Sequence, residues 1–161
     1  MTVRRIRLAL AAPRLRARRG RRAQAQVGWN ELERELARAR RYERSFVLLN
    51  LEAGGGGPER LARFERDLRT AVRRLDTVWG DRRNSYLLLP EGDEVMVDGL
   101  LARLSRDRPQ LLRERRCTWA VFPRDGVTTA SLVLESRGHH RDGPGSELNG
   151  GEAVDQPSRV A

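Results

Sequence analysis

Arg73-Arg74-Leu75-Asp76-Thr77-Val78-Trp79-Gly80-Asp81-Arg82-Arg83-Asn84-Ser85-Tyr86-Leu87-Leu88-Leu89-Pro90 is the stretch that decides how this chain folds. Thr77 to Gly80 and Ser85 to Leu89 read as two strands, rich in β-branched, aromatic and large apolar residues. The polar Asp81-Arg82-Arg83-Asn84 between them reads as a hairpin turn. Pro90 has no amide hydrogen for a ladder and ends the second strand.

Working upstream, Leu61, Phe64, Leu68, Val72 and Leu75 form one apolar stripe at helical spacing. Pro58 suits the first turn of that helix, where its missing donor is not needed. Gly54 to Gly57 is a flexible break before it. Ser45 to Glu52 precedes the break as a buried strand. Before that, Asn30 reads as a helix cap with Glu33 three residues on, and Leu32, Leu36 and Ala39 recur on one face.

Downstream, Asp93 caps a further helix with Val97, Leu100, Leu101 and Leu104 on its inner face. Residues 106–114 are a charged connection. Arg116 to Phe122 is a fourth strand, closed by Pro123 and an Asp125-Gly126 turn. Thr128 or Thr129 starts a short last helix that fades near Ser136. The order strand, helix, strand, strand, helix, strand predicts an α+β fold. Its form is a ferredoxin-like βαββαβ antiparallel sheet with an extra N-terminal helix, and with the helices on one face.

Charge divides the chain. Residues 1–26 hold nine arginines and no acid, so this leader carries nearly all of the net charge of +10. Pro13 and Gly20 are expected to interrupt any helix there. The division expected is a flexible Arg-rich leader at 1–27, a folded domain at 28–135 and a disordered tail at 136–161, rich in Gly, Pro, Ser and acids. The leader suits weak, non-specific contact with nucleic acid or an anionic surface. Every basic residue in the chain is arginine, however, which also reads as codon bias, a solubilising arm or a mis-assigned start.

No apolar run approaches the ~20 residues of a membrane span. Cys117 lies in the apolar stretch Cys-Thr-Trp-Ala-Val-Phe and reads as a small buried hydrophobe in a reducing cytoplasm. His139 and His140 sit in the tail without further ligands, so neither metal nor other cofactor is expected. Trp29, Trp79 and Trp119 are read as packing residues.

Three segments, in this order, resemble the GGDEF family, the bacterial diguanylate cyclases. Leu32 to Tyr42 leading into Phe46-Val47-Leu48-Leu49-Asn50-Leu51-Glu52 is similar to the family's opening helix and first strand. Arg73 to Trp79 followed by Tyr86 to Glu91 is similar to the signature hairpin region. Ala120-Val121-Phe122-Pro123-Arg124-Asp125-Gly126 is similar to its fourth strand and following turn. The resemblance covers about residues 30–135 and implies a nucleotide cyclase-like fold.

The catalytic chemistry of that family does not carry over. Condensing two GTP molecules requires carboxylates to hold Mg²⁺ and a glycine-lined turn for the phosphates. The resemblance puts the signature on Arg82-Arg83-Asn84-Ser85-Tyr86, or one residue earlier on Asp81 to Ser85. Both glycines and the key acids are lost in either register. The first metal aspartate falls on Asn50, and Glu52 stands where the second would be. Gly54 to Gly57 replaces a longer substrate loop. The expectation is a non-enzymatic, degenerate cytoplasmic module of bacterial signal transduction with a protein partner. The resemblance also implies an inhibitory Arg-x-x-Asp at Arg73 and Asp76, which would grip cyclic di-GMP through an arginine fork and a carboxylate. RNA-recognition domains share the element order, but these strands lack their basic and aromatic pattern.

Overall fold

The computed structural model describes residues 3–52, 57–81, 83–113 and 115–138, with side chains from residue 20 onward. Eight main elements follow one another: α1 (Val3–Tyr42), β1 (Phe46–Glu52), α2 (Gly57–Ala71), β2 (Thr77–Gly80), β3 (Asn84–Pro90), α3 (Glu94–Asp107), β4 (Cys117–Phe122) and α4 (Thr129–Gly138). The strands form one sheet in the order β2-β3-β1-β4. Every neighbouring pair is antiparallel. This is the expected βαββαβ sheet with an extra N-terminal helix.

The helices cover both faces of the sheet, not one. Val47, Leu49 and Leu51 of β1 pack with Leu61, Phe64 and Leu68 of α2 and with Val97, Leu100, Leu101 and Leu104 of α3. Phe46 and Leu48 face the other way, against Leu32, Leu36 and Ala39 of α1 and Leu132 of α4. Successive side chains of a strand point to opposite faces, so the unbroken apolar runs of β1 and β3 require a cover on each side. That is the physical reason for the correction.

α1 also departs from the expectation. The helix does not begin at Asn30; it runs from Val3, with Pro13 and Gly20 inside it, and no element boundary falls near residue 27. Asn30 accepts a hydrogen bond from the Gln26 side chain at 3.0 Å, an i,i+4 contact within the helix. Glu33 accepts from Thr129 of α4 at 2.6 Å instead of closing a capping box. Tertiary contacts carry the helix through this region. Gly28 is buried against Trp79, and Trp29 lies edge-on to the same ring at 5.3 Å. Most helical stability in proteins comes from such packing and not from propensity.

α2 ends at Ala71, short of the predicted stripe. Val72 is only partly buried against the core and Leu75 is 78% exposed. The Asp76 carboxylate accepts from the Arg73 backbone N–H at 2.8 Å, a turn that closes the helix. Asp93 caps α3 as read, its side chain accepting from Met96 N–H at 2.9 Å. The charged connection contains a short 3-10 turn, Pro109–Leu111, that buries Leu111. Trp79 and Trp119 are buried and Trp29 partly so. Burial pushes the Cys117 thiol up to about 11, which keeps it protonated and unreactive at neutral pH. Among the described residues, no helix is long and apolar enough to cross a membrane. The tail beyond Gly138, with His139 and His140, lies outside the described residues, as do Arg82 and Gly54 to Gly56.

Candidate functional site

The β2–β3 hairpin tip is where the resemblance puts the signature. The turn is built on Asp81. Its Oδ1 accepts from the backbone N–H of Arg83 and of Asn84, both at 2.8 Å. Its backbone N–H donates to Asn84 O at 2.9 Å. Asp at the start of a turn satisfies the free amides that follow it, which explains why this chain turns here without glycine. Desolvation opposes the charge on Asp81, but the two amides, the Asn84 side chain and Arg137 outweigh it and hold the carboxyl below its ordinary range. The loop is therefore closed on its own carboxylate.

Behind the turn, Tyr86 is fully buried at its ring. Its hydroxyl lies 3.2 Å from Asp81 Oδ2 and accepts from Arg137 Nε of α4 at 2.7 Å. Arg137 also donates to Asp81 Oδ2 at 2.8 Å. Burial, chiefly, pushes the Tyr86 hydroxyl up to about 12, so it remains a neutral donor. Trp29 and Trp79 cluster with this ring in a triangle, at 5.0 Å and 5.6 Å from it and 5.3 Å from each other.

Asn50 lies in the middle of the sheet, paired with Tyr86 on β3 and Thr118 on β4. It is 4% exposed, on the face covered by α1 and α4. Its Nδ2 donates to Thr118 Oγ1 at 3.3 Å, and Thr118 in turn donates to the Ser136 carbonyl of α4. Asn50 Oδ1 has no hydrogen-bond partner among the described residues. Glu52, two residues on, is exposed at the end of β1 opposite Asn84. The two positions that the resemblance assigns to metal are thus one neutral amide roofed by α4 and one solvent-facing acid. Among the described residues, no group of three or more His, Cys, Asp or Glu side chains could hold a metal ion.

A buried charge pair unmarked by any sequence motif lies beside the hairpin. Glu65 of α2 is 2% exposed, and Arg21 of α1 reaches it at 2.9 Å. Arg21 also donates to the backbone carbonyl of Asp81. Ser85, on which the resemblance puts part of the signature, is fully buried with its hydroxyl 3.5 Å from Glu65 Oε1. Ser85 is therefore a packing residue. The signal available in sequence was the helical stripe itself, since Glu65 follows Phe64 on the inner side of α2.

Arg73 and Asp76 line a cleft of about 330 Å³ between α1 and the start of β2. Gln24, Val27 and Gly28 of α1 form one wall, and Arg69 and Arg74 add positive charge. Desolvation raises the Asp76 carboxyl above its ordinary range, against the opposing hydrogen bond from Arg73. The carboxylate is engaged with Arg73 through that residue's backbone, not through its guanidinium.

No family model matches this chain, and no curated protein matches it. Among solved structures, the chain is similar to a sensory box/GGDEF family protein from Caulobacter crescentus CB15. The match spans 63% of this chain and 80% of that one, with 15% identity and a TM-score of 0.45. At that distance it bears on neither activity nor ligand.

Proposed function

We propose that this chain is a non-catalytic, degenerate GGDEF-like module that regulates bacterial signalling by contact with a partner protein. One observation carries the reading. The position where the family's metal aspartate would stand is Asn50, buried in mid-sheet and tied through Thr118 to the last turn of α4. Two GTP molecules need paired anionic ligands for their metals. An amide supplies no charge, and the hairpin carboxylate at Asp81 is already engaged by two backbone amides and Arg137. We assign the partner surface to α1 and the cleft beside it, where Val27 stands 64% exposed among arginines. Purified protein incubated with GTP and magnesium is expected to yield no cyclic di-GMP, as read by chromatography. Steady accumulation of product would overturn the proposal.

A second reading is favoured by the cleft. Arg73 and Asp76 line it together with Arg69 and Arg74, a cationic wall suited to a phosphodiester. On this reading the chain is a cyclic di-GMP receptor. Calorimetry with the dinucleotide is expected to give binding that Arg73→Ala weakens at least about tenfold, the loss of one charge-assisted contact. Equal affinity in the variant removes the idea.

A further inference from the structure

Two arginines from different helices end on the same residue of the hairpin. Arg21 of α1 donates to the carbonyl oxygen of Asp81, and Arg137 of α4 donates to its carboxylate. We propose that Asp81 is a clasp that couples the docking of α1 to the docking of α4, so that releasing either helix loosens the other.

The coupling follows from how little freedom Asp81 has. Its carboxylate is fixed by the amides of Arg83 and Asn84, so carbonyl and carboxylate move together with the turn. The preceding residue, Gly80, is pressed against Glu65: a Cβ there would lie 2.0 Å from Glu65 Oε1. Arg21 holds that carboxylate in place from the α1 side, and both side chains are largely sealed from water, at 14% and 2% exposure. Removing Arg21 leaves a buried anion whose other cation, Arg69, stands 3.9 Å away. Such a group draws in water or swings out. Either movement displaces the strand at Gly80 and Asp81, and with it the acceptor that Arg137 uses.

α1 is the helix expected to open first. Arg21 Nε and Trp79 Nε1 are both buried at the α1 interface without a hydrogen-bond partner among the described residues. An unpaired buried donor weakens the interface that hides it. On the α4 side, Arg137 is 44% exposed and Asp81 32%, so that ion pair alone is modest. Its reach comes from the Tyr86 hydroxyl, which Arg137 also holds, and from Trp29 of α1, tilted against the same ring at 5.0 Å.

Amide hydrogen exchange on the full chain tests this. Arg21→Ala is expected to speed exchange of Leu132 to Ser136 in α4 by about fivefold or more, the lower end of a typical coupling. Arg137→Ala is expected to speed Gly28 to Leu36 in α1 by a similar factor, since coupling between sites is reciprocal. Val97 to Leu104 of α3, which lies on the far face, serves as the internal reference and should not change. Effects confined to the substituted helix, or α3 accelerating in parallel, overturn the proposal. Should Arg21→Ala fail to fold, Asp81→Asn is the second variant. It keeps the carbonyl for Arg21 and weakens the hold of Arg137, so α4 must loosen most and α1 to a lesser, measurable degree. An unchanged α1 overturns it equally.

Discussion

Gly28→Ala is expected to destabilise the fold by about 1–3 kcal/mol, the usual cost of forcing extra volume into a packed site. The sign is the point. Gly28 lies inside α1, and alanine in a helix interior ordinarily gains about 1 kcal/mol over glycine. Here the added methyl would fall 2.2 Å from Trp79 Cγ, 2.3 Å from Cδ2 and 2.6 Å from Cβ. These atoms are the root of the side chain, so the clash cannot be relieved by moving a flexible end. Trp79 is fully buried and packed against both Trp29 and Tyr86. Relief therefore needs a shift of α1 away from β2, which also strains the Arg21 contact to Glu65. Gly99 in α3 supplies the control, because nothing lies within 4 Å of its added Cβ. Gly99→Ala should raise the urea midpoint while Gly28→Ala lowers it. Two variants that both stabilise would mean that α1 is not seated on Trp79.

That α1 continues and docks upstream of Asn30 was the least legible feature of the sequence. Asn30 followed by Glu33 has the form of a helix start, and Ala, Arg, Gln and Leu upstream are helix-compatible without requiring a helix. The decision rests on Gly28, Trp29 and Arg21, whose partners lie on β2, β3 and α2. The Arg21–Glu65 pair spans 44 residues, and no local pattern announces it. The strands were legible for the opposite reason. Phe46 to Leu49 and Tyr86 to Leu89 are short apolar runs bounded by polar and turn residues, but their lack of alternation calls for a cover on each face, which the expectation of helices on one face overlooks. The α2 stripe misled at Leu75, where spacing continued after the helix had ended. Only the Asp76 side chain bonded to Arg73 N–H explains that stop.

At the candidate site the pattern was similar. In sequence Asn50 is a neutral residue where the resemblance expects an acid, and nothing local announces its employment by Thr118 and Ser136. Asp81, read simply as part of a turn, is the residue on which the tip closes. Its contact with Arg137 joins residues 56 apart, across two strands and a helix.

Restoring the missing acid should therefore fail in a measurable way. Asn50→Asp is expected to cost about 3–4 kcal/mol at pH 7. Asn50 is 4% exposed, and its amide donates to a Thr118 hydroxyl that already gives its proton to Ser136. A carboxylate placed there loses the donor and meets an oxygen that has no hydrogen left to offer. Its cheapest escape is to take up a proton, and holding a carboxyl neutral three pH units above its ordinary value near 4 costs about 4 kcal/mol, which bounds the penalty. The sign with pH follows. The folded-state value is raised and the unfolded one is not, so the unfolded chain releases the proton first and stability falls as pH rises above about 4. The deficit relative to the parent should be small near pH 4 and grow by roughly 3 kcal/mol by pH 7 in urea unfolding. Magnesium should not close that gap. Glu52 faces solvent at the strand end, and the Asp81 carboxylate is engaged by backbone and Arg137, so among the described residues no cluster of acids stands ready to complete a metal shell. A variant that magnesium stabilises at neutral pH would mean that α4 lifts away from Asn50 readily. The sheet beneath it would then still be the floor of a metal site.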